Sequence, residues 1–444
     1  MSAAQVPTAP YRLPVVGHAA RFLADPVGFM ESLRTLGPLV RIYFGARAFY
    51  YVSDPALVHE VLLAQNEAFE KGRLFEKMKA FAGEGVGTVA GDQHRMQRRM
   101  VRPALHPDRL GHYAEIMHEH AQRGVAGWKP GQQIRVDRVA LDYTVRVIVD
   151  TLLPTRLHPH VARRVRETVP GMLRDAIRFM VLPEALFRLP LRVNEEIYSA
   201  SARLTATIDD LISSYRANPI ASEQFDLLSH LLGYQDPRTG EEVPHKLMRD
   251  QVMNFLIAGH ETTSSALTSA FWVLDQHPET RERVYRDLEA LGADRVTQDA
   301  LVKVPFTRAF VKEVLRLYPP GWMLPRRTVR AVRLGSISVP AGCELLISPM
   351  ALHRRPDVFR RPHVFDPERW IGPETTDVPK GAYIPFGLGP HVCLGAQFAE
   401  IEIITLLAAV SRGWRLVQRP VAAGRFRFGL TARIPELRCV AVPR

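Results

Sequence analysis

Cys393 stands in the decapeptide Phe386-Gly387-Leu388-Gly389-Pro390-His391-Val392-Cys393-Leu394-Gly395. Glycines allow tight turns and close backbone approach, so such a loop can set amide N–H groups around one sulfur. Those donors favour the thiolate, the form that binds metal. A lone thiolate cannot build a four-coordinate zinc site. It can serve as an axial ligand of haem iron, where a strong electron donor favours O–O cleavage. An isolated Gly-Cys-Gly loop is more often a turn around a structural cysteine. The spacing from Phe386 through His391 to Cys393 argues against that here.

A second group with chemical potential is Ala258-Gly259-His260-Glu261-Thr262-Thr263, at the centre of the Pro-free apolar run Asp250–Gln276. The polar groups exclude a membrane span. In a buried helix they are expensive unless partnered, so they mark either a solvated kink or a polar notch facing a cofactor. A hydroxyl beside a carboxylate can bind and relay protons, the task that oxygen activation requires. A third group, Glu313-Val314-Leu315-Arg316, puts an acid and a base on one helix face, which alone says little.

Taken together these segments resemble the cytochrome P450 family. Phe-Gly-x-Gly-x-basic-x-Cys-x-Gly is similar to its haem-binding signature, with His391 where Arg is usual. Ala258–Thr262 is similar to the central oxygen-binding helix motif. Glu313 and Arg316, followed by Pro367-Glu368-Arg369, resemble the family's Glu-Arg-Arg trio, a structural element behind the haem. The resemblance implies Cys393 as axial ligand of haem b. It implies Glu261 and Thr262 as the catalytic proton relay, and Ala258, Gly259, Phe386 and Gly387 beside the cofactor, Gly259 leaving room for dioxygen. In Gly91-Asp92-Gln93-His94-Arg95-Met96-Gln97-Arg98-Arg99, His94 and Arg98 would hold propionate, joined by Arg326 and His391. His391 would be a weaker, pH-sensitive donor. The implied fold is mainly α with a minor β region, the cytochrome P450 fold, as a single large haem-enclosing domain over residues 1–444.

The elements that must carry these groups are partly legible. Arg41–Gly45 and Ala48–Val52 alternate as a hairpin ended by Ser53-Asp54-Pro55, with Pro55 opening a helix through Leu62. Arg73–Gly91, rich in Gly, Phe and Met, has the composition of a mobile, apolar-tipped loop. Most of the chain from Gly91 to Leu301 reads as helix, including Val161–Phe187, which Pro170 and Pro183 break, and Asn194–Arg216. Past Pro319 come short strands at Val332–Val339 and Glu344–Ile347, and a weak pair near Phe426 and Arg438. Apolar candidates for a substrate pocket are Phe75, Met78, Phe81, Phe179, Met180, Phe255, Trp322, Met323 and Leu324. Any one of them is as readily a core residue. As a set they point to a pocket with few polar anchors, suited to a hydrocarbon or weakly polar lipid.

Composition narrows the rest. The 444 residues contain no Gly/Ser-rich linker and no repeat, and 46 % are apolar. Lys+Arg 58 against Asp+Glu 46 gives +12, which favours acidic partners. The basic residues are dispersed and no nucleic-acid motif is present, so an acidic ferredoxin with its reductase is the expected partner. The three cysteines Cys343, Cys393 and Cys439 form no CxxC pair, as in a reducing compartment. No iron–sulfur or flavin domain is fused to the chain. Met1–Pro14 has neither a signal peptide's apolar core nor a membrane anchor. The expectation is a soluble, cytoplasmic, bacterial-type monomer.

The function that follows is a haem-thiolate monooxygenase. It would insert one oxygen atom from O2 into a lipophilic small molecule, a terpenoid of secondary metabolism, using NAD(P)H electrons delivered through external partners. The alternatives are a peroxide-driven peroxygenase or isomerase of the same fold, or a haem-binding sensor. Glu261-Thr262 argues against the first two, which can dispense with the relay.

Overall fold

The Asp54 carboxylate accepts the amides of Ala56 (2.8 Å) and Leu57 (3.2 Å) and so starts the helix Pro55–His59, with Pro55 at the position that needs no amide partner. The helix then widens into a single turn over Glu60–Ala64. Before it, β1 (Leu39–Phe44) and β2 (Arg47–Val52) form the antiparallel hairpin their alternation predicts. The computed structural model describes residues 6–152, 163–165, 167–168, 192–217, 226–292, 295–372, 377–419 and 426–444. They fall into two compact units.

The first unit holds the described residues up to Lys77 and Lys312–Cys393. Its five-stranded sheet adds β3 (Phe69–Glu70), β4 (Leu324–Thr328) and β5 (Glu344–Ile347), in the order β1-β2-β5-β4-β3. Only β2 and β5 run parallel. A hairpin of Val332–Leu334 and Ile337–Val339 stands beside it, where the sequence places strands. Leu39, Val52, Val61, Leu62, Leu345, Ile347 and Ile384 form one apolar core, with Leu388 packed against it. The chain leading to Cys393 is therefore anchored in the core on its way in.

The second unit, the described residues from Met78 to Val311 and Leu394–Arg444, is mostly helical. The run Arg73–Gly91 is not the loop its composition predicts. It begins with a helix, α1 (Arg73–Ala82), because Leu74, Met78 and Phe81 recur at helical spacing and are buried. Then come α2 (Gly91–Val101), α3 (Val136–Leu152) and α4 (Arg192–Ala217). The predicted polar-centred helix is α5, His245–Gln276, and it packs most extensively on α3. At the crossing, a Cβ on Gly259 would lie 2.5 Å from Ile148 Cδ1, so glycine lets that side chain pack directly on the α5 backbone. Helix α6 (Pro305–Leu317) carries Glu313 and Arg316, and α7 (Ala396–Ser411) follows the cysteine loop. Strands do lie near Phe426 and Arg438, but they do not pair with each other. Arg427–Phe428 pairs with Ala432–Arg433, while Arg438–Pro443 joins Trp414–Gln418 and Gln133–Arg135. Most of Val161–Phe187 lies outside the described residues.

Candidate functional site

Of the three cysteines Cys393 alone is exposed; Cys343 is half-buried and Cys439 buried. The loop that presents it is tied back by the Cys393 amide, which donates to the Phe386 carbonyl (2.9 Å), and by the Gly387 amide on the Ile384 carbonyl (3.0 Å). Gly387 and Gly389 sit at φ 78° and 73°, the left-handed region. A Cβ on Gly389 would fall 2.0 Å from the Leu62 carbonyl oxygen, so the loop lies directly on the wide turn Glu60–Ala64.

Behind this loop the expected trio is assembled. Arg316 uses all five of its N–H donors. Nε and Nη2 reach the two Glu313 oxygens (2.8 Å each), Nη1 the carbonyls of His353 and Pro362 (2.7 Å each), and Nη2 also that of Val364 (3.1 Å). Glu313 further accepts the Asp366 amide (3.0 Å) and Trp370 Nε1 (2.8 Å), and Arg369 Nε stands 3.5 Å away. Glu313 and Arg316 are fully buried, so their charges are met entirely by each other and by these dipoles.

Sequence reasoning missed His353. Its ring is fully buried, with Nδ1 on the Arg316 carbonyl (3.0 Å) and Nε2 accepting the Ile384 amide (2.9 Å). Burial pushes its pKa down to about 3, against the help of the carbonyl bond. The imidazole is neutral and protonated on Nδ1, since an amide can only donate to Nε2. It bridges the trio to the stretch that ends at Cys393.

Arg326 lies on β4 opposite Leu345. Its guanidinium is buried, and its one hydrogen bond among the described residues goes to the Pro325 carbonyl (2.8 Å). Burial lowers its pKa to about 10, with no acid to offset it. Next to it, Met323 and Leu324 are half-buried. Trp322 is a correction to the pocket set. It is fully buried and stacks on Phe22 at 5.9 Å, which makes it a core residue of its unit.

In the second unit, α5 is buried along most of its length but opens at one place. Ala258 is exposed, and Phe255 and Thr262 are half-buried, three and four residues to either side on the same face. Thr262 Oγ1 donates to the Ala258 carbonyl (2.7 Å) and Thr263 Oγ1 to that of Gly259 (3.1 Å). With its proton committed, Thr262 presents lone pairs to the notch and acts there as an acceptor. Glu261 is buried about 100° further round the helix. The small residue on the open side is Ala258; Gly259 instead serves the α3 crossing, against the role expected of it.

Other candidate and polar groups are buried elsewhere. His260 Nδ1 donates to the Leu256 carbonyl (2.5 Å), and burial lowers its pKa to about 4. Glu402 on α7 is fully buried, its carboxyl pushed well up by desolvation and only partly countered by the Thr263 hydroxyl. Nothing in the sequence distinguishes this Glu from a surface one. On α2, His94 is buried and Arg98 half-buried. Met78 and Phe81 are buried and Phe75 half-buried. Phe179 and Met180 lie outside the described residues.

These residues fit haem. An exposed thiol on a glycine loop suits an axial ligand, and a buried guanidinium with no acid suits a propionate. Among the described residues, no group of three or more His, Cys, Asp or Glu could hold a metal ion by itself. No described helix is long and apolar enough to cross a membrane.

Comparison with known proteins agrees. Residues 7–420 match the family described as Cytochrome P450. The chain is 35 % identical over 438 residues to cyclooctatin synthase of Streptomyces melanosporofaciens, covering 98 % of this chain and 95 % of that protein. It is 35 % identical over 417 residues to cyclooctat-9-en-7-ol 5-monooxygenase of the same organism, covering 93 % and 90 %. To pentalenene oxygenase of Streptomyces avermitilis it is 33 % identical over 442 residues, covering 96 % and 98 %. Among solved structures, retinoic acid-bound cyanobacterial CYP120A1 superposes with a TM-score of 0.88 at 23 % identity, covering 100 % of both chains. The cytochrome P450DA heme domain does so at 0.87 and 23 %, covering 100 % of this chain and 98 % of that one. At such identities the likeness is one of fold.

Proposed function

The chain belongs to the cytochrome P450 family, a family of haem-thiolate proteins, and from that premise we propose that it is a terpenoid monooxygenase. It inserts one oxygen atom of O2 into a terpene-like hydrocarbon or its oxidised derivative. The observation that carries this reading is the 33–35 % identity, over nearly the whole chain, to three oxygenases of terpenoid metabolism. The character of the notch on α5 supports it: Phe255 and Ala258 are partly exposed and offer such a ligand no charged anchor.

Haem b supplies, when bound, the iron chemistry that reduces and splits dioxygen. This chain's residues do the rest. Cys393 would hold the haem iron through its thiolate, with Phe386 and Gly387 shaping its loop. Arg326, His391, His94 and Arg98 would hold the propionates. Thr262 Oγ1 accepts a proton-bearing group at the notch, and Glu261 feeds protons to it. Glu313, Arg316 and Arg369 keep the loop's support rigid. All of residues 1–444 act as one cytoplasmic, soluble, monomeric catalytic domain, which draws NAD(P)H electrons through an acidic ferredoxin and its reductase.

The test is reconstitution with a ferredoxin, its reductase and NADPH, a panel of cyclic terpene hydrocarbons and isotopically labelled dioxygen. One labelled oxygen atom per product molecule is the expected result. Turnover driven only by added peroxide, or no oxygenated terpene from any member of the panel, overturns the proposal.

A further inference from the structure

Three amides in the glycine-rich stretch after α1 are taken by consecutive polar side chains of α5. Glu84 N–H donates to Asp250 Oδ2 (2.9 Å), Val86 N–H to Gln251 Oε1 (3.1 Å) and Gly87 N–H to Asn254 Oδ1 (2.8 Å). Asn254 works in both directions: its Nδ2 donates to the carbonyls of Ala82 (2.8 Å) and Asp250 (3.0 Å). Gln251 Nε2 donates to Gln97 Oε1 (2.8 Å), and Gln97 Nε2 to the Glu84 carbonyl (3.0 Å), so α2 closes the ring. At the rim Lys246 spans Glu84 (2.9 Å) and Asp250 (3.0 Å). The stretch is also held from α4, where Ser201 Oγ donates to the Phe81 carbonyl (2.7 Å). Asp250, Gln251 and Asn254 are all buried.

The three amides of residues 84, 86 and 87 are bonded as backbone, and the approach is close. A methyl on Gly87 would stand 2.7 Å from Asn254 Oδ1, and one on Gly85 2.5 Å from Asn254 Cγ. Asn254 is one turn before Ala258 and two before Thr262, about 6 Å and about 12 Å along the axis. The backbone of residues 82–87 is thus fastened to α5 immediately beside its open notch.

We infer that Asn254 is a positioning residue for substrate: its carboxamide latches residues 82–87 onto α5 beside the Ala258–Thr262 notch, and the latch governs how a lipophilic substrate enters and which of its carbons is presented. The inference rests on the monooxygenase reading above. A hydrocarbon gives the protein no polar handle, so its orientation is set by the walls. A wall bonded to the helix that carries Thr262 keeps its distance from that residue, and a wall released from the helix does not.

Haem-loaded wild type, Asn254→Ala, Asn254→Asp and Gly87→Ala test this with three readouts. They are amide exchange over residues 82–88, the association rate of octylimidazole followed by the haem spectrum, and the product ratio from a cyclic terpene hydrocarbon. In Asn254→Ala, exchange and octylimidazole association should both rise roughly tenfold, the effect of losing about 1.4 kcal/mol of closure. Exchange in α3 should stay at the wild-type level, and the product ratio should flatten while turnover continues. Asn254→Asp keeps the acceptor for Gly87 and loses the donor to Ala82, so it should fall between. Gly87→Ala should act like Asn254→Ala from the loop side. Adding Asn254→Ala to it should recover melting temperature, because the three atoms nearest the new methyl all belong to Asn254. Wild-type exchange and association rates in both Asn254→Ala and Gly87→Ala overturn the latch. Faster exchange with an unchanged product ratio overturns its orienting role. A wild type that oxidises no terpene counts against the functional reading alone, since octylimidazole association still decides the latch.

Discussion

His353 accepts the Ile384 amide at Nε2 (2.9 Å) while its Nδ1 holds the Arg316 carbonyl (3.0 Å). One neutral imidazole therefore connects the buried Glu313–Arg316 pair to the strand of chain that turns into the Cys393 loop. Its burial has a consequence for pH. The unfolded chain protonates this ring below about pH 6.5, whereas the folded ring resists to about 3. Its contribution to stability is complete above that upper value. It falls by about 1.4 kcal/mol per pH unit as the solution is acidified through the window. His260, with its pKa near 4, acts in the same direction. Urea midpoints at pH 7 and pH 5 should differ clearly in wild type and by roughly half as much in His353→Gln, which can still donate and accept. Equal pH sensitivity in the two proteins would show that His353 is not held neutral.

Arg316→Lys should be severe despite the conserved charge. Five acceptors are met by a planar fork, and an ammonium has three donors. Breaking such a buried network costs about 3–5 kcal/mol. Haem content and melting temperature should fall together. A variant that melts like wild type refutes the structural assignment.

Cys393→Ala should abolish the red-shifted carbon monoxide band of a thiolate-ligated haem. Cys343→Ala and Cys439→Ala should retain it, since neither thiol is exposed. Retention of the band in Cys393→Ala would remove the axial ligand from this loop.

Thr262→Ala deletes the acceptor at the notch and leaves Ala258 and the helix in place. Haem binding should persist, while product formed per NADPH consumed drops by about tenfold or more and peroxide release rises. Unchanged coupling would take the proton relay away from this hydroxyl.

Arg99 and Arg102, both exposed at the end of α2 and just beyond it, are the residues through which an acidic ferredoxin would dock in the proposed function. Reversing both to Glu should slow reduction by that partner and flatten its dependence on salt, with octylimidazole binding intact. Identical reduction rates at low and high ionic strength, in wild type and variant alike, would exclude electrostatic docking there.

What the sequence revealed was what is local. The Phe386–Gly395 spacing, the Ala258–Thr262 run and the Glu313/Arg316 pair each sit within a few residues of chain, and the Asp54-Pro55 start and the hairpin before it were equally plain. What it hid depends on distant partners. His353 looks like any histidine until its partners, 37 and 31 residues away, are in place. The glycines from Gly83 to Gly87 signalled freedom because their anchors lie some 165 residues downstream. Gly259 suggested space for a ligand, whereas it makes space for Ile148. Trp322 seemed a pocket wall until Phe22, far earlier in the chain, was found stacked on it.

The crossing of α3 and α5 at Gly259 divides the central helix into a side packed on Ile148 and a side open to solvent at Ala258. A side chain at 259 would force Ile148 to repack against α5 and should lower stability. Ala258, one residue earlier, faces outward into the notch and can grow without disturbing that joint. A graded series there, through Ser, Val and Leu, would narrow the reaction space by steps of about one methyl or more while the scaffold stays fixed. Residue 258 would thus act as a volume control for substrate size, while residue 259 belongs to the helix joint.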